Sequence, residues 1–210
     1  MFSFILISLA VIGGISLLVI VLSIFSPTKM EYDETIKIEA PLNDVFDDIR
    51  IQERLMRWSA WPKETKSQCA VDTKSALKKE DGSVGVQTVF FSKGKRFGHQ
   101  EILSISEESE IVFALEGAGP PHYPTLTFRL EKLGDTTTSV TLNFINRMPP
   151  PFNLIWNFAG LSRWTRTMHV KDLQGLKAFS EPPHKDTDGR TVGRDPNLPN
   201  PYEVSLQTIA

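Results

Sequence analysis

The sequence predicts an α+β domain in which a curved antiparallel sheet of about six or seven strands surrounds one long C-terminal helix. Between residues 31 and 145, short segments with alternating apolar side chains recur at the spacing typical of antiparallel strands. Two short helical patterns follow the first of these segments, and a longer one follows the last. A strongly twisted sheet that one helix covers curls around that helix, with its other face in water.

An apolar run precedes this domain. Residues 2–25 contain no charge, no proline and nothing more polar than serine. As a helix the run is about 36 Å long, which exceeds a hydrocarbon core of about 30 Å. A cleaved secretory signal is the alternative, but it has a basic start and a shorter apolar core. We therefore predict a single-pass anchor over 1–28 that contacts the membrane through residues 2–25. Lys29 and Lys37 alone leave the side of the membrane undetermined.

The domain begins with a strand and two helices. Residues 31–39 alternate apolar and polar side chains, as in a half-buried strand. Pro41 suits the first turn of a helix, whose apolar residues then recur at helical spacing. A second short helix is predicted over 51–58, ending near Trp61 and Pro62.

Turn signals divide the next hundred residues into strands. Asp81-Gly82, Lys93-Gly94 and Gly134-Asp135 are typical of hairpins. One predicted strand begins at 67, and the following ones lie at 84–91, 96–105, 111–116, 125–131 and 140–145. Each has apolar residues at every second position, so each presents one face to a core.

The segment after the prolines at 149–151 predicts one helix over 152–179. Its apolar stripe comprises Ile155, Phe158, Leu161, Met168, Leu173 and Leu176, and Gly160 and Gly175 interrupt it. Trp156, Arg163 and Trp164 near its start also suit a membrane interface, so this end is either a gate that faces lipid or part of the core stripe. Residues 181–210 are rich in proline and poor in apolar side chains, which predicts a flexible tail after a domain over 29–180.

Composition narrows the functional classes. The net charge is −2, so the chain lacks the basic excess typical of nucleic-acid-binding domains. Cys69 is the only cysteine, which rules out a disulfide within the chain. No metal-ligand spacing, glycine-rich phosphate loop or serine-nucleophile motif is present. We expect no metal, no cofactor and no nucleic-acid partner, and the oligomeric state is undetermined.

Several short motifs occur in a characteristic order over residues 31–180: Ile36-x-Ile38-x-Ala40-Pro41, Trp58-Ser59-x-Trp61-Pro62, Gly98-x-x-x-Ile102, Phe128-x-Leu130 and Leu173-x-x-Leu176-Lys177. In this order the chain resembles the SRPBCC (START-like, helix-grip) superfamily, and within it the polyketide cyclase/dehydratase-like branch, which has membrane-anchored members. The resemblance implies a helix-grip fold with a deep apolar pocket between sheet and C-terminal helix. Such pockets hold lipids, sterols, quinones or polyketides. The family shares no catalytic signature, so the resemblance indicates a site and not a reaction.

Seven residues are predicted to line this pocket: Phe90, Phe113, Phe128 and Phe144 from the strands, with Phe158, Leu161 and Trp164 from the helix. They occupy positions that face the enclosed side of the sheet or helix. The alternative is that they close-pack as an ordinary core, since cores and pockets use the same side chains.

Candidate catalytic residues are His99, Glu101 and His122. His99 and Glu101 share one face of a predicted strand, and His122 lies in a predicted loop. Neither they nor His169 form a recognisable acid–base pair in sequence. The alternative for each is a structural or surface role.

These features predict a membrane-tethered binder or carrier of a hydrophobic small molecule. One alternative is an enzyme of the polyketide cyclase/dehydratase type that acts in the same pocket, with polar groups converging inside it. Another is a protein-interaction module comparable to co-chaperones, with a filled core and an exposed apolar patch.

Overall fold

The computed structural model describes residues 2–72, 87–116, 124–185 and 191–192. The helices are α1 (Phe2–Phe25), α2 (Leu42–Arg50), α3 (Gln52–Trp58), α4 (Trp61–Thr65), α5 (Phe152–Phe158) and α6 (Leu161–Ser180). The strands are β1 (Lys29–Ile38), β2 (Gln68–Asp72), β3 (Gln87–Ser92), β4 (Lys95–Ser106), β5 (Glu110–Glu116), β6 (Thr125–Gly134), β7 (Thr137–Arg147), β8 (His184–Lys185) and β9 (Thr191–Val192).

Seven of these strands form one antiparallel sheet in the order β1-β7-β6-β5-β4-β3-β2. The first strand therefore pairs with the last, so that Tyr32 lies opposite Phe144. Helix α6 lies against β1 and against the helices α2 and α3. This arrangement confirms the predicted α+β class and is a helix-grip fold.

The main core occupies one end of the space between sheet and helices. Alternate residues of β5, β6 and β7 point into it, and the apolar faces of α2, α3 and the C-terminal half of α6 close it. The ring of Phe128 makes edge contacts with Phe113 at 5.9 Å and with Trp58 at 6.2 Å between ring centroids. Trp58 also donates from Nε1 to the carbonyl oxygen of Asp48 at 2.8 Å, which satisfies its one polar atom.

The C-terminal helix is not continuous, contrary to the prediction of one helix over 152–179. It breaks between α5 and α6 at Gly160. The φ of this residue is +72°, in the left-handed region that glycine adopts more readily than other residues. Gly175 does not interrupt α6 but lets it approach α3 closely. A Cβ at this position would lie 2.2 Å from the carbonyl oxygen of Trp58.

The predicted apolar stripe divides at the same break. Met168, Leu173 and Leu176 are buried in the core, as expected. Ile155, Phe158 and Leu161, however, are 56%, 81% and 36% exposed. Of the two alternatives for this end of the helix, the core stripe does not hold for these three residues, because α5 and the first turn of α6 leave them exposed.

Two of the predicted turns lie in the described residues. Lys93 and Gly94 both have positive φ, at 52° and 73°, and form the tight hairpin between β3 and β4. Gly134 and Asp135 lie where β6 turns into β7. Asp81-Gly82 falls outside the described residues, as does most of the predicted tail.

Helix α1 is long and apolar enough to cross a membrane, and most of its large apolar side chains between Phe4 and Phe25 are exposed. Only residues 26–28 separate it from β1. The amide of Met148 donates to the carbonyl of Thr28 at 2.8 Å, so the sheet begins directly at the end of α1.

Candidate ligand-binding cavity

A cavity of about 230 Å³ lies between the sheet and the helices α4, α5 and α6. It adjoins the close-packed core, with which it shares Leu126 and Phe144. The cavity is lined by Trp61, Thr65, Phe90, Phe97, Gly98, His99, Gln100, Leu115, Glu116, Pro124, Leu126, Phe144, Trp156, Trp164, Thr165 and His169. Most of this lining is aromatic or aliphatic, as in sites for apolar small molecules.

Aromatic pairs form two walls of the cavity. Trp61 from α4 and Trp164 from α6 meet edge to face, with ring centroids 5.3 Å apart. Phe90 of β3 and Phe97 of β4 lie 6.2 Å apart across the hairpin. Flat, rigid walls of this kind suit planar or cyclic apolar molecules.

A histidine forms the inner part of the lining. Nδ1 of His169 lies 2.6 Å from the hydroxyl of Tyr32 on β1. Its ring also contacts Phe144, at 4.7 Å between centroids, and Trp61, at 5.9 Å. Burial lowers the pKa of His169 to about 3 and raises the pKa of Tyr32 above its ordinary value. Both groups are therefore neutral near pH 7.

An aspartate one helical turn further on holds the aromatic wall in place. Asp172 Oδ1 accepts hydrogen bonds from the Ala60 amide at 2.7 Å and from the Ser59 hydroxyl at 3.1 Å. Ser59 and Ala60 connect α3 to α4, so these hydrogen bonds fix the position of Trp61 at the start of α4. Burial raises the pKa of Asp172 to about 7, against the hydrogen bonds from Ala60, Ser59 and the Trp61 side chain, which favour the ionised form.

His99 lies at the edge of the cavity. Its Nδ1 is 2.7 Å from Oε2 of Glu116 and 3.0 Å from Nη2 of Arg96. Glu101 is buried in β4 but is not among the lining residues. The β4–β5 pairing places His99 opposite Glu116, which accounts for the contact between these two side chains. His122 falls outside the described residues.

The seven predicted ligand-binding residues occupy three different environments. Phe90, Phe144 and Trp164 line the cavity. Phe113 and Phe128 are fully buried in the close-packed core. Phe158 is exposed on α5, and Leu161 is partly exposed at the start of α6. Direct contact with a ligand stays a prediction for all seven.

Sequence reasoning did not pair Tyr32 with His169, although signals for both were present. Tyr32 shares the alternation of Ile36 and Ile38, which places it on the inner face of β1. His169 lies one turn after Thr165 and one turn before Leu173, on the buried face of α6. Each position was visible, but the contact depends on how α6 lies against β1.

The end of α1 is bound to α5 by hydrogen bonds. Asn153 Nδ2 donates to the carbonyls of Ser23 at 2.7 Å and Ser26 at 3.0 Å. Asn157 Nδ2 donates to the Ser26 hydroxyl and the Pro27 carbonyl, both at 3.0 Å. The last carbonyls of a helix have no partner within the helix, so these amides satisfy groups that water or lipid headgroups otherwise would.

Helix α5 thus has one side toward the domain and an exposed apolar side. Trp156 lines the cavity and donates from Nε1 to Sδ of Met30 at 3.4 Å. The other side, here called the α5 apolar face, continues into the first turn of α6. It consists of Phe152, Ile155, Phe158, Leu161 and Trp164, which are between 36% and 81% exposed.

No family model and no curated protein matches the sequence. Among solved structures, the chain is similar to protein CV1439 from Chromobacterium violaceum, with 17% identity, a TM-score of 0.50, and coverage of 74% of this chain and 99% of that one. It is also similar to the di-domain ARO/CYC BexL from the BE-7585A biosynthetic pathway, with 20% identity and a TM-score of 0.51. This match covers 70% of this chain and 45% of BexL, so it spans about half of BexL.

A protein from Nitrosospira multiformis gives a third match, with 17% identity, a TM-score of 0.51, and coverage of 71% of this chain and 94% of the other. At such identities the likeness concerns the fold and not the activity. The chain therefore shares the fold of these three structures.

Proposed function

We propose that this protein is a membrane-tethered binder or carrier of a hydrophobic small molecule, which it holds in the cavity between the sheet and α6. The observation that carries the proposal is the cavity itself. The cavity adjoins a close-packed core. Two pairs of aromatic side chains, Trp61 with Trp164 and Phe90 with Phe97, form its walls, and most of its lining surface is apolar. A folded domain retains such a space when a ligand fills it, because an unfilled apolar cavity reduces stability.

The position of α5 supports a role at the membrane. Helix α1 is long enough to span a bilayer, and Asn153 and Asn157 hold α5 at its end. The α5 apolar face therefore lies where the bilayer surface would be, and exposed tryptophan and phenylalanine favour that interface. Trp156 and Trp164 belong to this region and also line the cavity. We propose that a ligand dissolved in the lipid enters between them.

The polar groups of the cavity favour binding over acid–base catalysis. A general base works best when its pKa is near the operating pH, and burial holds the pKa of His169 at about 3. His99 is close to Glu116 and Arg96 at the edge of the cavity, apart from His169. The alternative of a protein-interaction module predicts an exposed apolar patch. The α5 apolar face is such a patch, but contact with the bilayer accounts for it without a protein partner.

Photolabelling in lipid vesicles tests the proposal with the full chain. A small aryl diazirine partitions into the bilayer, and its carbene reacts with whatever lies beside it. We expect labels in α1 from the lipid, and separate labels on cavity residues such as Trp61 and Phe90. In Leu115→Trp, a larger side chain fills the cavity, so cavity labels decrease while α1 labels stay. Leu133→Trp, at an exposed position of β6, is the matched control. Labels confined to α1 in the wild-type protein contradict the proposal.

A further inference from the structure

One ring nitrogen of a buried cavity histidine has no hydrogen-bond partner. His169 is fully buried and lines the cavity. Its Nδ1 is occupied by the Tyr32 hydroxyl, but among the described residues nothing hydrogen-bonds to Nε2. A buried polar nitrogen without a partner costs free energy, so native proteins seldom leave one unless a ligand or water completes it.

The contact with Tyr32 determines which hydrogen bond Nε2 can make. A phenol is a good donor and a poor acceptor, whereas the unprotonated ring nitrogen of a neutral imidazole is a strong acceptor. Tyr32 therefore donates to Nδ1, and the single ring proton of His169 is on Nε2. Nε2 is consequently a donor that needs an acceptor.

Three other polar side chains of the lining already have partners. The Thr65 hydroxyl donates to the Trp61 carbonyl at 2.6 Å, and the Thr165 hydroxyl donates to the Leu161 carbonyl at 2.9 Å. His99 is held by Glu116. Nε2 of His169 is therefore a buried donor of the lining with a hydrogen bond still to make, beside the rings of Trp61 and Phe144.

We infer that Nε2–H of His169 donates a hydrogen bond to a carbonyl oxygen of the bound molecule, so that the cavity selects apolar ketone-type compounds over hydrocarbons of the same shape. This inference rests on the proposed function, since it requires a ligand in the cavity. Because Nε2 is buried, the oxygen reaches it when a neighbouring ring moves. Trp61 contacts His169 and packs edge to face against Trp164, which is 44% exposed, so we propose that a shift of these two rings opens the way to Nε2.

A matched pair of rigid probes tests this selection. Fluorene and 9-fluorenone have the same three-ring shape and differ in one position, which is CH₂ in fluorene and C=O in fluorenone. Binding of each to the full chain in detergent is measured by native mass spectrometry. We expect fluorenone to bind roughly five- to tenfold more tightly, the fold-change for one hydrogen bond in a dry site. The carbonyl stretching band of bound fluorenone should shift to lower frequency, and the ¹⁵N resonance of Nε2 should shift with fluorenone but not with fluorene.

Variants separate this hydrogen bond from general packing. In His169→Phe the preference for fluorenone should fall to about onefold, while fluorene still binds. Tyr32→Phe frees Nδ1 and lets the ring proton move, so the preference should decrease. Ser180 lies in α6, as His169 does, but outside the cavity. Ser180→Ala removes its buried hydrogen bond to Asp48 of α2 and should retain the full preference for fluorenone.

The wild-type infrared and ¹⁵N measurements decide the question even if the His169 variant does not fold. Equal binding of both probes, with an unshifted carbonyl band, overturns the inference and leaves the proposed function standing. If neither probe binds the wild-type protein, the proposed function fails with it.

Discussion

The hydroxyl of Tyr32 lies 2.6 Å from Nδ1 of His169, a contact that joins β1 to α6 across 137 residues of sequence. Tyr32 is also the cross-strand neighbour of Phe144, and the rings of Phe144 and His169 touch beside the cavity. The contact thus joins the first strand, the last strand of the sheet and the covering helix. It lies where the core ends and the cavity begins.

Stability should depend on pH through two buried groups with opposite signs. The imidazole of His169 takes up a proton below about pH 6.5 in the unfolded chain, but only below about pH 3 in the folded chain. This group therefore lowers the free energy of unfolding as the pH falls through that window. Asp172 keeps its proton in the folded state up to about pH 7 but loses it near pH 3.8 when unfolded. It therefore lowers the free energy of unfolding as the pH rises from about 4 to 7.

Because these two effects oppose each other, removing one should expose the other. In Asp172→Asn, the free energy of unfolding should increase relative to the wild-type value as the pH rises from 4 to 7, by at most about 1.4 kcal/mol per pH unit. Urea unfolding in detergent at four pH values measures this difference. Parallel curves for the two proteins would show that Asp172 titrates normally.

Gly175→Ala should destabilise the fold. The added Cβ would lie 2.2 Å from the Trp58 carbonyl oxygen, so α6 must move away from α3. We expect a loss of about 1–3 kcal/mol, as for other overpacked sites. Gln174→Ala, at the exposed neighbouring position of α6, is the control and should change stability by less than about 0.5 kcal/mol. Equal thermal midpoints for the two variants would contradict the close approach.

Two phenylalanines should separate core packing from ligand binding. Phe128→Ala removes a fully buried ring and should cost about 3–5 kcal/mol, while the folded fraction binds fluorene as before. Phe90→Ala opens a wall of the cavity at a half-buried position, so it should weaken fluorene binding at a smaller cost in stability. If Phe128→Ala alone weakens binding per folded molecule, the cavity does not hold the ligand.

The α5 apolar face should lie in lipid. A nitroxide attached at Phe158→Cys should collide often with oxygen and rarely with a water-soluble nickel complex. Asp135→Cys, in the β6–β7 hairpin, should show the reverse order. The native Cys69 is buried and does not react with the label. High nickel accessibility at both positions would place α5 in water.

Local periodicity was sufficient to predict the sheet but not the α5–α6 break. Ile36 and Ile38 alternate on one face of β1, and Lys93-Gly94 is a hairpin signal that needs no tertiary context. Gly160 interrupts the helical pattern, but a glycine within such a pattern is often tolerated, so its presence alone does not predict a break. Its left-handed φ becomes evident only when α5 and α6 diverge.

The site was partly predictable for a related reason. An apolar stripe at helical spacing has the same pattern whether it packs in a core, as Leu173 does, or faces out, as Phe158 does. Aromatic residues on strands likewise gave no distinction between Phe128 in the core and Phe90 in the cavity wall. Only the arrangement of β3, β4 and α4 around the open end of the sheet separates them.

Native mass spectrometry of the full chain, extracted in a mild non-ionic detergent, tests the central claim most directly. We predict that the wild-type protein retains an apolar molecule, at most one per chain, and that Leu115→Trp retains much less. The same adducts at the same occupancy in both proteins would contradict a ligand in the cavity. So would a wild-type chain that carries no adduct and takes up no added fluorene.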